Sequence, residues 1–122
     1  MDRKLAVGEG VVTENVQKVE LDNLHLCGFR IGVKIQQTRT AVIRNSLLEN
    51  CSIGISVVKS RQQNQMEVVD SIFKTMYYGV MGENTGTVLT LQGSQFIDVP
   101  KALLLCQVQI LIVHIIHFLD PL

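Results

Sequence analysis

Apolar residues in this chain recur in short alternating runs, such as Val19-Leu21, Val33-Ile35 and Ala41-Ile43. A period of two is the mark of a half-buried strand, whereas a helix needs unbroken spacings of three and four. The pattern therefore predicts strands throughout, with no helix longer than about two turns before residue 100. β-branched residues are common in the runs, and proline occurs only at 100 and 121, so nothing interrupts strand pairing.

The runs themselves repeat. Stretches beginning near residues 19, 41, 66 and 89 superpose, and Gly32, Gly54, Gly79 and Ala102 carry the register at intervals of 22, 25 and 23 residues. Intervals of that size predict a solenoid. If the backbone winds once per repeat, equivalent side chains stack about 4.8 Å apart. The predicted columns are chemically uniform: Leu21, Ile43, Val68 and Leu91; Leu26, Leu48, Phe73 and Phe96; Phe29, Cys51, Met76 and Val99; Val33, Ile55, Val80 and Leu103. Between the first two lies Asn23, Asn45, Asp70 or Gly93, residues suited to a left-handed corner. An antiparallel sandwich would also alternate, but it gives no reason for the repeat.

Residues 16–105 read as four coils, 1–15 as part of an earlier one and 106–122 as an apolar tail. Gly10 lies 22 residues before Gly32, and Phe118 lies 22 after Phe96, so the chain reads as entering and leaving in mid-repeat. The tail admits three readings: a half-coil of strand, a cap helix, or a membrane anchor. The last is disfavoured by Gln107, Gln109, His114 and His117.

The stretches Asn45 to Ile55 and Asp70-Ser71-Ile72-Phe73 through Tyr78-Gly79-Val80 resemble the right-handed parallel β-helix repeat family, the pectin-lyase-like fold. The resemblance implies an all-β, right-handed, single-stranded parallel β-helix of about four to five coils, a segment of a longer β-helix. It does not choose an activity, because such folds include polysaccharide lyases and hydrolases, tailspikes, cell-surface proteins and intracellular adaptors.

Composition narrows the partners. With 47% apolar residues, 18% charged and a net charge of zero, the chain offers no global basic field for nucleic acid. Aromatic residues make up 5% and Trp is absent, which argues against a sugar-stacking cleft. Three cysteines, Cys27, Cys51 and Cys106, form no metal-ligand spacing and an odd number. No apolar segment follows Met1-Asp2-Arg3-Lys4, so a cytoplasmic location is expected, or an extracellular one if the chain belongs to a larger surface protein. The sequon Asn50-Cys51-Ser52 is expected to go unused, because Cys51 falls in a core column.

Chemistry is sparse. Asp22, Asp70 and Asp98 read as turn residues, and Asp70 aligns with the asparagine corner. Glu20 and Glu67 share an outward column two rungs apart, roughly 9 to 10 Å, near the spacing of an inverting carboxylate pair, but without a third acid or a basic partner. His25, His114 and His117 match no catalytic or zinc motif. No catalytic residue, metal or cofactor is expected. The better candidate is a cationic, amide-rich edge of Lys34, Arg39, Arg44, Lys59, Arg61, Gln62 and Gln63, with Tyr77 offering an aromatic contact on another face.

Such an edge could grip a protein or acidic peptide by charge-assisted hydrogen bonds. The sequence thus points to a non-catalytic scaffold or protein-binding module. The alternative is a piece of a polysaccharide-processing or carbohydrate-binding β-helix, with an acidic polysaccharide as ligand. Uncapped coils could also associate end to end.

Overall fold

The computed structural model describes residues 8–58, 63–82, 87–105, 110–114 and 117–119, with side chains described as far as residue 104 apart from that of Thr87. Fifteen strands, β1 to β15 in chain order, form three five-stranded sheets in which every pairing is parallel. Sheet A holds β1 (Glu9–Glu14), β4 (Ile31–Gln36), β7 (Ile53–Val57), β10 (Tyr78–Gly82) and β13 (Lys101–Leu105). Sheet B holds β2 (Lys18–Asp22), β5 (Thr40–Arg44), β8 (Asn64–Val69), β11 (Thr87–Gln92) and β14 (Ile110–His114). Sheet C holds the three-residue strands β3 (His25–Cys27), β6 (Leu47–Glu49), β9 (Ile72–Lys74), β12 (Gln95–Ile97) and β15 (His117–Leu119). Each strand pairs with the strands three before and three after it. The chain is therefore a β-solenoid of about four turns, with no helix among the described residues.

The stacked columns form the core. Leu21, Ile43, Val68 and Leu91 are partners in register, as are Leu26, Leu48, Phe73 and Phe96, and the backbone register continues to positions 113 and 118. The Phe73 and Phe96 rings stack with centroids 4.7 Å apart and planes 10° apart, which is one rung of the solenoid. In the tail, β14 and β15 extend sheets B and C by one rung each.

Columns of left-handed residues turn the chain, with Asn15 and Gln37 forming a shorter one between sheets A and B. Asn23, Asn45, Asp70 and Gly93 carry positive φ between sheets B and C, and Gly28, Asn50, Thr75 and Asp98 do so between sheets C and A. Asparagine, aspartate and glycine tolerate this region best, so their recurrence follows from the corners. The second column escaped the sequence reading, because Thr75 is a poor left-handed residue.

The glycine register has a steric cause. A Cβ on Gly32 would lie 2.7 Å from the Gly54 carbonyl oxygen and 2.8 Å from Leu48 Cδ2. One on Gly79 would meet the Ala102 carbonyl oxygen and the Phe96 ring just as closely. Ala102 takes this place on β13, over which no further strand of sheet A lies among the described residues.

Candidate functional site

The recurring dipeptides Asn45-Ser46, Asp70-Ser71 and Gly93-Ser94 build a buried hydroxyl ladder. Each serine Oγ–H donates to the carbonyl two residues earlier, at 2.9, 3.1 and 3.4 Å for Ser46, Ser71 and Ser94. Each Oγ accepts the N–H from the rung below: Leu24 to Ser46 at 3.2 Å, Ser46 to Ser71 at 3.2 Å and Ser71 to Ser94 at 3.4 Å. These bonds satisfy main-chain donors that the corner withdraws from water. The serines are structural, and their repetition beside the corner residues was the signal for them.

The outer side of sheet B is the most chemically varied surface. One outward column runs Lys18, Thr40, Gln65 and Val88, and the next runs Glu20, Val42, Glu67 and Thr90. Between them lies a cavity of about 260 Å³ lined by Thr40, Ala41, Val42, Gln65, Met66, Glu67, Val88 and Thr90. A second cavity of about 210 Å³, lined by Arg39, Thr40, Gln63 and Gln65, shares Thr40 and Gln65 with it. The two form one shallow cleft leading from the turn between sheets A and B onto the face of sheet B. Its lining is mainly amide and hydroxyl over apolar side chains, with Arg39 at one end and Glu67 farther along.

The structure divides the cationic edge expected from sequence. Arg39 and Gln63 meet in the cleft. Lys34 lies on sheet A, 3.5 Å from Glu9, and Arg44 ends β5 at the far side of sheet B, 3.7 Å from Glu20. Both already face carboxylates, whereas exposed Arg39 has no ion pair among the described residues. Tyr77 is 45% exposed at the turn into β10. Lys59, Arg61 and Gln62 lie outside the described residues.

Acid–base chemistry finds little support in the carboxylate geometry. Val42 separates Glu20 from Glu67 in register. Lys18, hydrogen-bonded to Glu20 at 2.9 Å, holds the Glu20 carboxyl below its ordinary range, and Arg44 adds to this. A general acid at neutral pH needs the opposite shift. Among the described residues, no three His, Cys, Asp or Glu side chains group as a metal site. Burial pushes the Cys51 thiol up, which makes it a packing group rather than a nucleophile.

Set against known proteins, the chain matches no family model, no curated protein and no solved structure.

Proposed function

We propose that this chain is a non-catalytic coil segment of the pectin-lyase-like kind, serving as a scaffold that holds a protein or acidic peptide in the cleft on sheet B. The observation that carries the reading is the exposed Arg39 guanidinium at the mouth of a cleft rich in amide and hydroxyl groups. A rigid stack presents these groups at fixed rung spacing. An extended peptide crossing the rungs would meet Thr40, Gln63 and Gln65 as hydrogen-bonding partners, with an acidic side chain at Arg39. Among the described residues no aromatic ring lines the cleft, which favours polypeptide over sugar.

Screening the chain against an acidic peptide library and an acidic glycan array tests this. Peptide binding that falls about tenfold in Arg39→Ala and weakens in Gln65→Ala is the expected outcome. Glycan binding lost in Arg39→Ala, with no peptide bound, would instead support the carbohydrate-binding alternative.

A further inference from the structure

The outer face of sheet A carries opposite charges on its two outermost strands. One outward column runs Glu9, Ile31, Ile53, Tyr78, Lys101, and its neighbour runs Val12, Lys34, Ser56, Met81, Leu104. Glu9 accepts from Arg30 at 3.2 Å and also reaches the Lys34 ammonium of the neighbouring column at 3.5 Å, which places both columns on one surface; within the first column the Lys101 ammonium lies 5.8 Å from the Tyr78 ring centroid. The acid stands on the first rung and the base on the fifth. Of the exposed large apolar residues, Val12 at 46% and Leu104 at 38% occupy those same two rungs.

We propose that this face is an isologous interface with a second copy of the chain, the two-fold axis running along β7. Such an axis keeps strand direction and reverses rung order. It therefore sets Glu9 opposite Lys101 of the other copy and Val12 opposite its Leu104. The same operation sets Arg30 opposite the exposed ring of Tyr77, a cation over an aromatic face. Ser56, on the middle rung, meets its own counterpart, where a small polar residue is tolerated. Each contact occurs twice, as two-fold symmetry requires. Opposite charges and exposed apolar groups on the two outermost rungs argue for a second copy as the occupant, while Lys34, set opposite Met81, keeps Glu9 of its own chain as partner.

Area sets the strength. Five rungs at about 4.8 Å and strands of about 17 Å give a face of about 330 Å², well below the roughly 800 Å² per partner of a stable complex. The dimer is thus weak and concentration-dependent.

Sedimentation equilibrium from about 20 µM to about 1 mM reads it directly. The apparent mass is expected to climb from 13.6 kDa toward twice that value. Lys101→Glu is expected to weaken association about tenfold, and so is Leu104→Ser, with strand circular dichroism retained. Arg39→Ala, in the turn between sheets A and B, leaves association unchanged while testing the peptide cleft separately. A mass fixed at 13.6 kDa throughout, or association that Lys101→Glu and Leu104→Ser both leave unchanged, would overturn the proposal.

Discussion

A methyl group at position 54 would lie 2.6 Å from the Gly79 carbonyl oxygen, 2.8 Å from Phe73 Cδ1 and 2.9 Å from Met76 Sδ. Backbone and core both resist it, so Gly54→Ala is expected to lower stability by about 3 kcal/mol in urea unfolding, where a strand glycine in open space would change little. The cysteines divide in the same way. Cys51 is fully buried with its thiol pushed up by that burial, while Cys27 is exposed. Peptide mapping after brief iodoacetamide treatment should find Cys27 alkylated and Cys51 protected until the chain unfolds. Glu20 supplies a pH test. Its folded carboxyl is lowered by the Lys18 hydrogen bond and charge, then by Arg44, so its contribution to stability is present above the unfolded carboxylate value and disappears as pH falls through the folded one. Glu20→Gln should therefore show a shallower loss of stability on the acid side, measured by thermal melts across pH.

Among the elements, the strands were legible in the sequence and the corners half so. The apolar columns could be read directly, because a buried position stacked on its equivalents must keep one chemistry, as Leu26, Leu48, Phe73 and Phe96 do. The serine ladder sat in plain view beside the corner residues but looks like ordinary turn composition until the N–H donors of adjacent rungs are counted. Ser71→Ala should remove the acceptor for the Ser46 N–H and cost about 1–3 kcal/mol, measurable by urea unfolding and absent for a solvent-facing serine. The candidate site was read less well, for a geometric reason. Superposing repeats finds neighbours along the stack but not the side of the coil on which a residue falls. Positions 34, 39 and 44 therefore look adjacent, yet Lys34 lies on sheet A, Arg39 at the turn and Arg44 at the far end of β5 in sheet B. Linkers of unequal length between sheets A and B, left-handed only at Asn15 and Gln37 among the described residues, hid that bend.

At the scale of the whole molecule, every strand depends on the rungs above and below it, so stability is shared between neighbours along the stack. Two outer surfaces carry the proposals: the polar cleft on sheet B is proposed to hold a partner peptide, and the outer face of sheet A a second copy of the chain. Both rest on one arrangement, in which residues about one repeat apart lie side by side. Nuclear Overhauser contacts in a methyl- and aromatic-labelled sample test it most directly. Cross-peaks are predicted from Leu48 to Leu26 and to Phe73, and from Ile55 to Val33 and to Val80, the partners in register on adjacent rungs. Cross-peaks placing β5 antiparallel to β7, with these inter-repeat contacts missing, would contradict it.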